Sequence, residues 1–160
     1  MSSSRTKTYR TFSSEETKRL GFDAARALGR GPAVFALQGD LGAGKTTFVQ
    51  GFLKGLGSRA RVTSPTFVLM RRHGLAGKKF SNVFHIDAYR LKKPEHFAAL
   101  ELDAIIADPR NIVLIEWPEQ AEEFLPKRTV RIGFTYGEKE NERIVAITMP
   151  LSDAVKKGRQ

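Results

Sequence analysis

A chain of 160 residues, 41% of them apolar, suits one globular domain with a core of its own. It has no cysteine, which excludes disulfides and thiolate metal sites, and no apolar run approaches the ~18 residues of a membrane-spanning helix. The formal net charge is +10, and half of it lies at the two ends: Arg5, Lys7 and Arg10 precede residue 11, and Lys156, Lys157 and Arg159 outnumber Asp153 after residue 151. Such a balance raises the chance of contact with RNA or an acidic protein, while for any given residue the plainer reading of a solvated Lys or Arg stands at least equal. Met1 to Arg5 has no apolar stretch behind it, so the expectation is a cytoplasmic protein rather than a secreted one.

In chain order, Lys7 to Phe12 reads as a short edge strand. Ser13 with Glu16 three residues on forms a capping box, and Leu20, Phe22, Ala24, Ala25 and Leu28 follow as the apolar positions of a helix that Gly29 to Pro32 ends. Ala33 to Leu37 is a short apolar run, read as a buried strand. Next comes Gly39-Asp40-Leu41-Gly42-Ala43-Gly44-Lys45-Thr46-Thr47, the pattern G-x-x-x-x-G-K-T, and then apolar residues at 48, 49, 52, 53 and 56 at helical spacing. A strand, this loop and a helix in succession are the context a phosphate-binding P-loop requires. The glycines let the backbone curl with its N–H groups inward, and those donors with the positive helix end hold phosphate oxygens. Lys45 adds a charge toward the β- and γ-phosphates, and the Thr46 hydroxyl is placed to ligate Mg²⁺.

Beyond Gly55-Leu56-Gly57, Ser64-Pro65 forces an extended or turned backbone before Thr66-Phe67. Val68 to Met70 and Phe80 to Asp87 read as a hairpin around Leu75 to Lys78, and Pro94 opens a helical region through about Ile106. Ile112 to Ile115 is a continuous apolar run typical of a central parallel strand, stopped at Glu116-Trp117-Pro118. Glu119 to Phe124 suits a helical turn or two, and Val130–Phe134 with Arg143–Ile147 suits a last hairpin joined near Gly137. The pattern predicts a single-domain α/β P-loop fold: a mainly parallel sheet with antiparallel hairpin additions and helices on both faces. Residues 1–11 are expected to be a flexible segment and edge strand, 12–151 the P-loop domain, and 152–160 a basic flexible tail.

A P-loop NTPase needs an acid at a second strand end to anchor Mg²⁺. Glu116 ends the most apolar strand, at the carboxyl edge where ligands bind in open α/β sheets. Asp87 ends a weaker strand and reads equally as a site acid or a turn cap. Thr66 suits a γ-phosphate-sensing threonine or ordinary turn chemistry. Trp117 belongs either to the site's edge or to the core. Arg90 suits a phosphate, a partner or a surface ion pair, and His85 and His96 have no metal-ligand spacing.

Four motifs occur in order: the P-loop, Ser64-Pro65-Thr66-Phe67, His85-Ile86-Asp87-Ala88-Tyr89-Arg90-Leu91 and Ile115-Glu116-Trp117-Pro118. Together they resemble the TsaE (YjeE) family over residues 12–150. The resemblance implies a protein that binds ATP or ADP with Mg²⁺, hydrolyses ATP slowly and assists the TsaB–TsaD pair in threonylcarbamoyl modification of the adenosine beside the anticodon. It implies Thr46 and Glu116 as Mg²⁺ ligands, Lys45 on phosphate, Asp87 on the catalytic side, Thr66-Phe67 as a switch-like segment, and adenine near Ser14-Glu15. Direct tRNA contact is expected to be weak, through the basic tails. The chain departs from the family after Leu91: Pro94 to Phe97 keeps one acid of a usual pair, and Leu100-Glu101 stands where Leu-Gly is usual. The competing readings are a small-molecule or nucleoside kinase, for which residues 92–110 make too short and apolar a lid, and a non-enzymatic nucleotide-sensing adaptor. A guanine-specific GTPase lacks its Asn-Lys-x-Asp signature here.

Overall fold

The computed structural model describes residues 3–29, 33–62 and 69–151. Its strands are β1 (Ser4–Thr11), β2 (Ala33–Gly39), β3 (Met70–Gly74), β4 (Asn82–Asp87), β5 (Asn111–Glu116), β6 (Val130–Tyr136) and β7 (Arg143–Pro150). Its helices are α1 (Ser14–Arg26), α2 (Lys45–Gly55), α3 (Pro94–Ala99) and α4 (Leu102–Ala107), with 3₁₀ segments at Ala88–Arg90 and Pro118–Phe124. The strands form one sheet in the order β1-β7-β6-β2-β5-β4-β3. The central strands β6, β2, β5 and β4 are parallel, and β1, β7 and β3 add to them antiparallel. This is the architecture the sequence predicts. No helix among the described residues is long and apolar enough to cross a membrane.

Both faces of the sheet centre are covered, which is why its strands are apolar without alternation. Phe35 and Leu37 of β2, with Ile112 and Leu114 of β5, pack under α1 and α2 against Phe48, Phe52 and Leu53. Their sequence neighbours Val34, Val113 and Ile115 point to the other face, where Phe97, Leu102 and Ala121 meet them.

The helix pair is held at backbone distance. A Cβ at Gly51 would collide with the Lys18 carbonyl, one at Gly21 with the Phe48 carbonyl, and one at Gly55 would lie 2.6 Å from the Phe22 carbonyl oxygen. Gly51 and Gly55 are four apart and share one face of α2. The start of α1 is fixed as predicted, with Ser13 Oγ accepting from the Glu16 N–H at 3.1 Å. The returning half differs: Glu16 Oε2 accepts from Phe12 N–H at 2.7 Å, one residue before the usual partner. Buried Thr11 and Thr17 hydroxyls meet at 2.7 Å and tie β1 to α1.

The single helix expected from Pro94 is two, α3 and α4. Glu101 separates them in the left-handed region, at φ 53 and ψ 40. The resemblance implies a Leu-Gly step at this point, and here a residue with a Cβ takes a conformation that suits glycine. Burial of Phe97 and Leu102 on either side holds the turn in place. Strand bounds also shift: β1 starts at Ser4, β3 at Met70 and β4 at Asn82. Ser64-Pro65-Thr66-Phe67 and the 152–160 tail lie outside the described residues.

Two substitutions test these contacts by urea unfolding. Glu101→Gly is expected to stabilise by about 1 kcal/mol, by removing left-handed strain from a residue with a Cβ. Gly51→Ala is expected to destabilise by about 1–3 kcal/mol, as overpacking does in a tight core. Unchanged unfolding midpoints would contradict both assignments.

Candidate functional site

Strand β2 delivers the chain to Gly39, and α2 begins at Lys45. Between them Gly42 (φ 78) and Gly44 (φ 106) take left-handed conformations that residues with a Cβ seldom adopt. Gly39 is needed for space, because a Cβ there would lie 2.6 Å from the Phe134 carbonyl oxygen on β6. Ala43 is buried beneath the loop, and Leu41 projects from its tip with 86% of its surface exposed. The Tyr136 hydroxyl at the end of β6 donates to the Leu41 carbonyl at 2.7 Å. The Arg143 guanidinium lies 4.6 Å above the Tyr136 ring.

A cavity of about 450 Å³ opens over this loop. Gly42, Gly44, Lys45, Thr46 and Thr47 line one side of it, and Asp87, Tyr89, Arg90, Glu116 and Trp117 line the other. Lys45 is nearly enclosed. Its ammonium donates to the Gly39 carbonyl and, at 3.4 Å, to that of Asp40. It also lies 4.0 Å from the centre of the Trp117 ring. Burial pulls the Lys45 pKa below the ordinary lysine value, outweighing the opposing pull of Glu116, Glu119, Asp40 and Asp87. A poorly hydrated cation at the N-terminus of α2, beside a loop with two left-handed glycines, suits a phosphate.

The acids arrive by strand register. Glu116 sits beside Leu37 across β2–β5, and Asp87 beside Glu116 across β4–β5. Both carboxylates are buried and share the α2 side of the sheet. Fully buried His85 backs Glu116, with Nε2 3.4 Å from Oε2. Asp87 lines the cavity, and its Oδ1 also accepts from the Tyr89 N–H at 3.1 Å, the turn cap that is one of its two sequence readings. Among the described residues no group of three His, Cys, Asp or Glu could hold a metal alone. The donor set instead fits Mg²⁺, which is commonly bound by one or two carboxylates together with substrate phosphates.

Trp117 belongs to the cavity wall rather than the core. It is half-buried, left-handed at φ 56, and its ring lies 5.3 Å from that of Tyr89. Ser14 lies on the other flank of the loop, in a hollow of about 180 Å³ that it shares with Thr17, Gly42, Gly44, Thr47, Asn141 and Arg143. Thr66 lies outside the described residues. Sequence reasoning missed Tyr136, Asn141 and Arg143. The signal that could have found them was position: Tyr136 ends β6 and Arg143 begins β7, both at the carboxyl edge that carries Glu116.

Because Trp117 is the only tryptophan and sits against Lys45, its emission reports on this cavity. Saturating Mg²⁺-ADP is expected to change its intensity or wavelength, with binding established independently by calorimetry. Binding with silent emission would contradict this placement.

The family model for "Threonylcarbamoyl adenosine biosynthesis protein TsaE" matches residues 11–145. Proteins named tRNA threonylcarbamoyladenosine biosynthesis protein TsaE are similar to the chain. That of Streptomyces coelicolor is 39% identical over 82% of this chain and 88% of its own length. That of Haemophilus influenzae is 38% identical over 70% and 69%, and that of Bacillus subtilis 36% identical over 78% and 74%. A crystal structure of YdiB from Bacillus subtilis superimposes with a TM-score of 0.76 at 28% identity, covering 98% of this chain and 93% of that one. With its P-loop, its two strand-end acids and these matches over most of its length, the chain belongs to the TsaE family.

Proposed function

We propose that this protein binds ATP and ADP with Mg²⁺, hydrolyses ATP slowly, and assists TsaB and TsaD homologues in threonylcarbamoyl modification of the adenosine beside the anticodon of tRNA. The observation that carries the nucleotide reading is the convergence of Lys45, Asp87 and Glu116 on one cavity above the left-handed glycines. The pathway comes from the names of the relatives, and the partner pair from the family resemblance. A cytoplasmic location accords with both.

Each residue then has a task. The loop N–H groups other than that of Ala43, which donates to the Asp40 carbonyl, bind the phosphates with the Lys45 ammonium, with charge already in place where negative charge develops. Thr46 and Glu116 would hold Mg²⁺, which supplies charge neutralisation on the phosphate oxygens. Asp87 orients the attacking water while keeping one oxygen on the Tyr89 N–H. The Ser14 hollow receives the adenine side of the nucleotide, and Thr66 senses the γ-phosphate. Tyr136 keeps the loop from opening by holding the Leu41 carbonyl. Turnover is slow until a partner completes the site.

Steady-state phosphate release and ADP calorimetry test the assignment. Lys45→Ala is expected to abolish turnover while leaving the fold intact, because it removes a buried cation rather than core packing. Glu116→Gln should weaken ADP binding chiefly when Mg²⁺ is present, since an amide is a poor ligand for a hard cation. Asp87→Asn should lower turnover more than affinity. Full turnover in Lys45→Ala would remove the P-loop reading, and an interchange of the two acid phenotypes would reverse their roles.

A further inference from the structure

Charge is distributed unevenly along this chain. Residues 41–86 contain eight Lys and Arg and no Asp or Glu. One of the eight is Lys45, at the nucleotide cavity. The other seven lie on a different part of the molecule, built from the end of α2, the loop after it and the β3–β4 hairpin.

The placement is compact. A groove of about 570 Å³ follows α2 and is lined by Lys54, Arg59 and Arg61, without a carboxylate among its lining residues. Gln50 Nε2 donates to the Val62 carbonyl at 3.3 Å and ties the basic loop back onto α2. A second hollow, about 210 Å³, opens at the other side of the α2 terminus between Arg26, Lys78 and Lys79. Lys54 and Gly57 line the first, and Gly55 and Leu56 the second, so the two adjoin. Arg71 and Arg72 are exposed on edge strand β3, which leads into the second hollow through Leu75. Among the described residues, Arg26, Lys54, Arg59, Arg61 and Lys78 form no ion pair. The basic residues of α1 nearer its start are already matched, Lys18 with Glu15 and Arg19 with Asp23.

We infer that this flank is a binding surface for the phosphate backbone of RNA. Uncompensated cations at close quarters repel one another and gain most from a polyanion, whose counterions they release. The flank's apolar content separates RNA from an acidic protein. Protein interfaces centre on buried aromatic and apolar anchors. Among the described residues, the large exposed apolar ones are Phe12, Leu41, Leu69, Tyr89, Tyr136, Met149 and Leu151, and none lines either hollow. The apolar side chains Val62, Leu28, Leu56 and Leu75 in the two linings are already packed against the core, so the flank offers mainly charge, which suits phosphate contacts and sequence-blind binding. It lies the length of α2 from the P-loop, about 16 Å at 1.5 Å per residue, so RNA and nucleotide do not compete for residues. Taking tRNA as the RNA rests on the function proposed above; the flank itself does not depend on the nucleotide site.

The test is fluorescence anisotropy of labelled unmodified tRNA with the full chain across a salt series. The variants are Lys54→Gln/Arg59→Gln/Arg61→Gln and Arg26→Gln/Lys78→Gln/Lys79→Gln, with Lys156→Gln/Lys157→Gln/Arg159→Gln as the charge-matched control. Each flank triple is expected to lower affinity about tenfold or more at low salt. It should also flatten the log–log salt slope by about 2–3, since each phosphate left without its cation removes close to one unit of slope. The tail control should change both much less. Thermal melts and ADP calorimetry should match the parent, which separates this result from any failure of the nucleotide reading. Equal losses in the tail control would reduce the effect to net charge and overturn the proposal. So would unchanged tRNA binding, including the case where the flank triples instead lose co-elution with TsaB and TsaD homologues, which would make the flank a protein-docking face.

Discussion

The parallel register of β2, β5 and β4 is the constraint on which the site depends. Pairing Leu37 with Glu116 and Glu116 with Asp87 brings two acids and the root of the P-loop to one sheet edge. The side-chain period of two then decides which face they share, and a slip of one residue on either strand would send a carboxylate into the opposite core. The register is itself secured by the apolar layers. Ile112 and Leu114 must meet α2, and Val113 and Ile115 must meet the other layer, so the alignment that buries both sets also presents Glu116.

The loop depends on a second close fit. The glycines of α1 and α2 let the helices touch backbone to backbone, which brings the start of α1 against the P-loop. A methyl group at Gly44 would lie 3.6 Å from Thr17. From the other side Tyr136 holds Leu41, and β6 crowds Gly39. The loop is thus braced by three elements, leaving its N–H groups preorganised rather than free to reorient.

Lys45 shows how these constraints become chemistry. Enclosure beneath Trp117 strips the ammonium of water while four carboxylates pull the other way, and burial prevails. A cation in that position is stabilised by an anionic ligand more than a surface lysine would be. The opposite end of α2 carries the other concentration of positive charge, on an open flank where no such enclosure exists. One acid-free stretch of sequence therefore serves two kinds of surface, separated by a helix.

Much of this was legible in the sequence because it is local. The P-loop needs only a strand, a glycine pattern and a helix in succession, and the apolar run ending at Glu116 announces a central strand. The capping residues of α1, the last hairpin and the Asp87 turn follow from short-range hydrogen bonding in the same way. What the sequence could not decide is what depends on residues far apart. The helix expected from Pro94 is broken at Glu101, because the packing of Phe97 and Leu102 overrides the preference of a residue with a Cβ. Gly21 and Gly51 look incidental until the helices are brought together. Tyr136 and Arg143 join the site only because β6 lies beside β2, in the long-range register that pairs Gly39 with Phe134. Local chemistry is written in adjacent residues. The site's walls, the partners of its charges and the face on which each charge emerges are set by the sheet's pairing order, which the tertiary structure alone decides.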